Sequence, residues 1–351
     1  MKAKPVTMRD VARRLGVSQS TVSLALNNSP LLPPATRETV KRVAGELGYR
    51  VHPYVSALMR SRRPSRAPVS RPVLALINTL PARTAWRNSS TGNLKYMLQG
   101  AERQALERNY QTCEFWLHEP ELSHERLSDI LRARGIVGVL LGPSSDLYLD
   151  LKLKWEFFSA VRLGSTRFTP ALHRVVNDHF VTAGIAMRQC FELGYRRPGL
   201  VIRTALSVGH ERRWEAGAEM AARDLPGLTL VPTLLMDDES DARQFSRWYH
   251  RYRPDVVLDG SERTALRHAR AMGLKVPLDV GVASLSAPQL GGDLSGTYQH
   301  GEAMGVAATN LLISLIERHE TGIPALPVTQ STGSIWNPGT TVREIRPQVP
   351  A

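Results

Sequence analysis

Cysteine is nearly absent: Cys113 and Cys190 are the only two in 351 residues, far apart, with no second Cys or His beside either at a metal-ligand spacing. A disulfide framework and a zinc module are therefore excluded, and both thiols read as small apolar residues in a reduced compartment. Long hydrophobic runs are missing as well, since no stretch approaches the roughly twenty apolar residues that span a bilayer. Lys2 and Lys4 lead into Val6-Thr7-Met8-Arg9-Asp10, without the apolar stretch of a secretory signal. A cytoplasmic location is expected. Enzyme signatures are also wanting: no Gly-rich phosphate loop follows a strand, no HExxH occurs, and no Ser nucleophile elbow is visible. The pairs His118 with His124 and His173 with Asp178 lack supporting ligands. Neither catalysis nor a metal or cofactor is expected.

Acidic residues are scarce in one region. Residues 1–71 hold fourteen Lys and Arg against three acids (Asp10, Glu38, Glu46), so +11 of the formal +13 lies in one fifth of the chain. A polyanion is the natural partner, because each neutralised phosphate releases counterions. A membrane surface would call for a large amphipathic helix with an aromatic face, which this segment lacks. What the sequence does have is the composition of a folded protein, 42% hydrophobic and 22% charged. Its length suits a small module joined to a two-lobed domain.

Met8, Val11, Ala12 and Leu15 recur at the spacing of a helix's buried stripe, with Thr7 as N-cap. Gly16 ends that helix where a positive φ is cheap, and Ser18 caps a second one from Gln19 to about Asn27. Two short helices around the turn Gly16-Val17-Ser18 match a helix-turn-helix, whose second helix enters the major groove. A third helix, Thr36 to Leu47, carries Val40, Val43, Ala44 and Leu47 on one face and closes at Gly48. Periodicity alone leaves an ordinary three-helix bundle open.

The run Val6-Thr7-Met8-Arg9-Asp10-Val11-Ala12, followed by Gly16-Val17-Ser18, Thr21-Val22-Ser23, Asn27, Thr36-Arg37 and Leu47-Gly48-Tyr49, resembles the headpiece of the lactose/purine repressor (LacI) family. The resemblance implies base contacts from Gln19, Ser20 and Leu24. Leu24 departs from the Arg often found there: Arg grips guanine through two hydrogen bonds, whereas Leu presses only on a thymine methyl or on sugar. Gln19 is then the candidate for a bidentate adenine contact. Thr7, Ser18, Thr21, Ser23 and Asn27 are candidates for phosphate, which position without specifying. After Tyr49, Pro53 suits the first turn of a helix too short to stand alone in water. The family implies a hinge helix that forms on DNA and wedges Leu58 into the minor groove, with Tyr54, Ser56 and Ala57 beside it. His52-Pro53 replaces the usual Pro-Asn, which blurs where this hinge starts. Arg60, Arg62, Arg63 and Arg66 read either as DNA contacts or as a solvated linker.

From Val73 the texture changes to apolar strands alternating with amphipathic helices, the pattern of a doubly wound parallel sheet. One set runs through strands at 73–77, 111–117 and 137–141, with helices at 94–108 and 125–134; a second runs through strands at 199–202, 256–258 and 280–283, with a helix at 214–223. Two sets imply two lobes with a ligand cleft at their strand ends. Gly194-Tyr195-Arg196-Arg197-Pro198, Pro254-Asp255, Val276-Pro277-Leu278-Asp279-Val280 and Gln299 with Gly305 resemble the periplasmic-binding-protein-like domain of the same family. Three of its polar ligand clasps are replaced: Trp214 stands for an Arg, Ser261-Glu262 for Asn-Asp, and Ser286 for Asp. Trp214 is expected to stack on a sugar face, with Arg212, Arg213, Glu262, Ser286 and Gln299 reaching hydroxyls, and with Trp86, Arg87 and Asn88 on the loop after the first strand facing the cleft. Each has an ordinary surface or core role as its alternative. Asp178 and His179 are expected to start and cap another helix.

The reading is a headpiece over 1–50, a hinge and basic linker over 51–71, and a two-lobed effector-binding domain over 72–351. The resemblance implies a homodimeric repressor on a pseudo-palindromic double-stranded operator, with allosteric control by a small ligand of the sugar class, and no membrane partner. No C-terminal heptad follows Arg343, which favours a dimer over a tetramer.

Overall fold

A computed structural model of the chain describes residues 6–26, 32–47, 49, 71–89, 92–144, 148–261 and 263–345. The headpiece contains α1 (Met8–Leu15), α2 (Gln19–Leu26) and α3 (Pro34–Glu46). Asp10, in the first turn of α1, reaches back to accept from the Thr7 backbone N–H (2.9 Å) and hydroxyl (2.6 Å). Gly16 ends the helix at φ 67°, in the left-handed region. The Ser18 hydroxyl accepts from the Thr21 N–H at 3.0 Å and opens α2. The third helix begins two residues before Thr36, because Pro34 is preorganised for a first turn. Val11, Ala12, Val22, Ala25, Val40 and Ala44 form the shared core.

Beyond the headpiece come β1 (Val73–Asn78), α4 (Gly92–Glu107), β2 (Gln111–Trp116), α5 (His124–Ala133), β3 (Gly138–Leu141), β4 (Tyr148–Asp150), β5 (Ser159–Leu163), β6 (Arg167–Thr169) and β7 (His173–Asn177). Then follow α6 (His179–Glu192), β8 (Pro198–Arg203), α7 (Thr204–Gly209), α8 (Arg213–Asp224), β9 (Leu234–Met236), α9 (Ala242–Tyr252), β10 (Val256–Asp259), α10 (Thr264–Ala271), β11 (Gly281–Ser284) and β12 (Gly296–Tyr298). The last elements are α11 (Gly301–Glu317), β13 (Thr329–Thr332) and β14 (Ile335–Asn337). The strands expected from alternating apolar runs are present, with ends shifted by a residue or so.

Lobe 1 is a six-stranded parallel sheet in the order β13-β7-β5-β3-β1-β2, and lobe 2 is β14-β12-β11-β10-β8-β9 with only β14 antiparallel. The chain passes between lobes three times: after β7, between β12 and α11, and between β13 and β14. Met304, Ala308, Leu312 and Ile313 of α11 thereby return to the core of lobe 1. Helices in both lobes touch backbone to backbone. A Cβ on Gly305 would lie 2.0 Å from the Met97 carbonyl oxygen, and one on Gly217 would lie 2.2 Å from that of Phe180. Any larger residue at either place would force α11 off α4, or α8 off α6.

Two of the crossings are tied together. The Asn177 amide donates to Thr332 O (3.2 Å) and Ser334 Oγ (2.9 Å), while Thr182 Oγ1 donates to Asn177 Oδ1 at 2.7 Å. A buried network with its partners in place is stiff. It fixes where the lobes pivot, and so places the strand ends of one opposite those of the other.

Candidate functional site

The headpiece presents one arc of α2 outward. At 100° per residue, positions 19, 20, 23 and 24 share that arc, whereas Val22 and Ala25 point into the core. Gln19 and Ser20 are exposed, and Leu24 is half-buried yet outside the core cluster. Ser18 and Thr21 share a hydroxyl hydrogen bond of 2.9 Å at the start of the helix. Thr7, expected as a phosphate contact, spends its hydroxyl on Asp10. Arg9 and Arg14 are exposed, while Arg13 pairs with Asp10 at 2.6 Å. Asn27, Tyr54, Ser56, Ala57 and Leu58 lie outside the described residues, as does the linker that would carry the hinge helix.

In lobe 1 the loop after β1 is self-contained. Asn78 donates to Arg83 O (2.8 Å) and accepts from Leu80 N–H (3.0 Å), folding the loop back on the strand. Trp86 does not face the cleft as expected: it is fully buried against Leu74, Leu76, Met97 and Leu98, and its indole N–H donates to Leu94 O at 2.9 Å. An indole that both fills the core and satisfies its N–H leaves little for a ligand. Arg87 is likewise engaged, bridging Glu102 (2.7 Å) and Glu114 (2.9 Å), and those carboxylates raise its pKa. Asn88 continues the turn, its N–H bonded to Thr84 O at 2.8 Å.

Lobe 2 is different. Trp214, in the first turn of α8, is 2% exposed and packs edge-on against His210 (4.4 Å between centroids) and His179 (4.9 Å). The two imidazoles stack at 3.9 Å. His179 Nδ1, His210 Nδ1, Trp214 Nε1, Glu215 Oε2, Arg203 Nε and Ser261 Oγ are all enclosed without a hydrogen-bond partner among the described residues. Each such group costs on the order of 1–3 kcal/mol if nothing meets it. Burial, then His210, Arg213 and Arg174, hold His179 well below the usual imidazole range; burial and Arg203 bring His210 down to about 4. Both rings are neutral at pH 7.

Of the other expected ligand residues, Arg213 pairs with Asp178 at 3.2 Å, and Arg212 is exposed in the left-handed region at φ 55°. Gln299 donates to Leu285 O at 2.9 Å, and Glu262 lies outside the described residues. Ser286 accepts from the Asn93 amide of lobe 1 at 2.7 Å, and Arg174 of lobe 1 reaches Glu211 of lobe 2 at 3.1 Å. The lobes are therefore bridged at two points. Asp178 caps α6 as expected, accepting from Val181 N–H at 3.3 Å. Asp259, fully buried, accepts from Ser261 and Ala265 N–H groups, and burial pushes its carboxyl up to about 6. It shapes the loop after β10.

Sequence reasoning passed over Arg203, His210 and the enclosed side of His179. Arg203 ends β8 and His179 starts the helix just after β7, a position at the strand ends that could have singled them out, whereas His210 lies beyond the short helix α7 and has no such signal. An open hollow of about 670 Å³ along the outer side of α11, lined by Arg103, Tyr298, Glu302, Val306 and Gln330, contains none of the expected ligand residues. Among the described residues no helix is long and apolar enough to cross a membrane.

The family described as "Bacterial regulatory proteins, lacI family" matches residues 7–52, and "Periplasmic binding protein-like domain" matches residues 187–335. The HTH-type transcriptional regulator GalS of Salmonella typhimurium is 51% identical over 53 residues, which is 15% of this chain and 16% of that protein. Two solved structures are similar nearly end to end. The transcriptional regulator CelR-cellobiose complex has a TM-score of 0.55 at 22% identity, covering 97% of this chain and 99% of that one. The lac repressor dimer bound to operator and the anti-inducer ONPF has a TM-score of 0.52 at 17% identity, covering 97% and 100%. At those identities the likeness is one of fold.

Proposed function

We infer, for a chain that belongs to the LacI family of bacterial regulatory proteins, that α2 reads the major groove of a double-stranded operator, and that a small ligand between the lobes adjusts operator affinity. The exposed arc of α2 is the observation that carries this reading, because the polar side chains of Gln19 and Ser20 stand exposed beside a helix start suited to phosphate. Gln19 takes a bidentate adenine contact, Ser20 a neighbouring base edge, and Leu24 a thymine methyl. Ser18, Thr21, Ser23, Arg9 and Arg14 hold the phosphates. Thr7 serves α1 more than DNA, its hydroxyl being bound to Asp10.

The working unit is a homodimer on a pseudo-palindrome, as in the lac repressor dimer on its operator. The chain acts as a repressor in the cytoplasm, by binding and not by catalysis. A sugar or sugar derivative is the ligand class suggested by the cellobiose complex of CelR, and the lobe-bridging Asn93–Ser286 and Arg174–Glu211 contacts are where its entry would alter the lobe angle.

Operator sequences selected from random duplexes, followed by anisotropy titrations, test the reading. Gln19→Ala should lose about 1–3 kcal/mol of discrimination at one base pair of each half-site while keeping its non-specific affinity. A wild-type protein that binds selected and scrambled duplexes equally would end it.

A further inference from the structure

We propose that the ligand carries a carboxylate or comparable anionic group, and that Arg203, with the nitrogens of His179, His210 and Trp214 beside it, receives that group in the lobe 2 half of the cleft. The proposal rests on the reading of the cleft as an effector site and adds the chemical class.

Neutral sugars are gripped largely through hydroxyl protons, which need acceptors such as Asp and Asn oxygens. The positions expected to supply them hold Ser261, followed by Glu262, and Ser286, and Ser286 Oγ already accepts from Asn93; Trp214 stands where the family has an Arg, itself a donor. The orphaned groups that remain are mostly donors. Arg203 Nε and Trp214 Nε1 can only donate; Ser261 Oγ and a neutral imidazole Nδ1 can donate. Glu215 Oε2 is the exception, and its other oxygen is taken by Ser207. A surface rich in unused donors is complementary to a group that only accepts.

Charge points the same way. Three arginines gather around the histidine stack. Arg174 has Glu211 and Arg213 has Asp178, but Arg203 has no carboxylate among the described residues. Arg203 ends β8 and leads directly into the short helix α7, whose other end carries His210. The walls are aromatic and enclosed, with Trp214 2% and His179 5% exposed. In so dry a setting an ion pair to Arg203 is much stronger than in water, and an unpaired partner is correspondingly costly.

The test uses the full-length protein at pH 7, with D-gluconate against D-glucose and D-galacturonate against D-galactose, by thermal shift and calorimetry. An acid should bind at least tenfold tighter than its neutral counterpart. Arg203→Gln should lose at least tenfold in that affinity with an unchanged urea midpoint, and Arg203→Lys should lose less; if the Gln variant does not fold, the Lys variant still carries the comparison. Binding of a neutral sugar but of neither acid would overturn the anionic class and leave the effector reading standing. Acid binding untouched by both Arg203 variants would overturn the assigned residue. An acid that binds without changing operator affinity would sink the effector reading alone, and failure of all four compounds to bind would overturn both.

Discussion

Trp86 in lobe 1 and Trp214 in lobe 2 each come after the strand next to the edge of their sheet, β1 and β8, and each is fully enclosed, yet their N–H groups fare differently. That of Trp86 has Leu94 O at 2.9 Å; that of Trp214 has no partner among the described residues. The neighbours repeat the contrast. Asn78 and Thr79 at the end of β1 bond to Arg83 O and Pro143 O, whereas Arg203 at the end of β8 leaves Nε unused. Lobe 1 has its own exceptions in Ser165 Oγ and Asn93 Oδ1, but the other six orphaned atoms among the described residues belong to lobe 2. On the proposed reading, two lobes of one architecture divide the labour: lobe 1 is a finished wall, and lobe 2 holds the groups that wait for a ligand.

The largest effect that can break this contrast is on stability. Trp86→Ala removes a completely buried indole from the middle of the lobe 1 core and should cost about 3–5 kcal/mol. Urea unfolding followed by circular dichroism reads it. A loss below about 1 kcal/mol would mean that Trp86 is not structural, and that the loop after β1 faces the cleft after all.

Next in size is the pH dependence, which separates two groups of lobe 2. His210 titrates near 4 when folded and near 6.5 when unfolded, so the unfolded chain binds more protons between those values, and this group's contribution is lost as pH falls from 6.5 to 4. The amount is about 3 kcal/mol for a shift of that size. Asp259 has the opposite sign. With its carboxyl pushed from 3.8 up to about 6, the folded chain binds more protons between those values, and the contribution fades as pH rises through them. The two largely offset each other in the wild type, and are read by difference. His210→Phe should gain on the wild type as the medium is acidified from pH 6.5, and Asp259→Asn should lose ground to it over the same range. Parallel pH profiles for wild type and His210→Phe would show that the imidazole is not buried neutral.

The contrast between lobes was hidden from sequence reasoning for a physical reason. Headpiece helices are set by contacts three and four residues apart and by local caps, so Thr7, Gly16 and Ser18 mark their ends on inspection. The parallel strands show as apolar runs for the same reason. Whether a Trp after a strand turns into the core or toward a cleft depends in part on residues far along the chain: Trp86 is settled by α11 some two hundred residues later as well as by nearby Leu94 and Met97, and Trp214 by the distant His179 as well as by nearby His210. The return of α11 to lobe 1 has no local signature either, because its small residues Gly301 and Gly305 acquire meaning only where they meet the backbone of α4. Likewise the replaced clasps at 214, 261 and 286 were legible as departures, whereas the donors that take their place were not.

The smallest expected effect is the sharpest test of the comparison. Trp→Phe keeps an aromatic ring in each lobe and removes one N–H. In lobe 1 that leaves the Leu94 carbonyl short of a partner and should cost about 1–3 kcal/mol. In lobe 2 no acceptor loses anything, so Trp214→Phe should change stability by less than about 1 kcal/mol, the lost packing being offset by removal of an unsatisfied donor. Ligand affinity should show the reverse order, unchanged in Trp86→Phe and weakened in Trp214→Phe, because an N–H left idle in the free protein is then one the ligand engages. Equal stability costs in the two variants would mean that the Trp214 N–H is met within the protein, and the division between a finished lobe and a waiting one would fall with it.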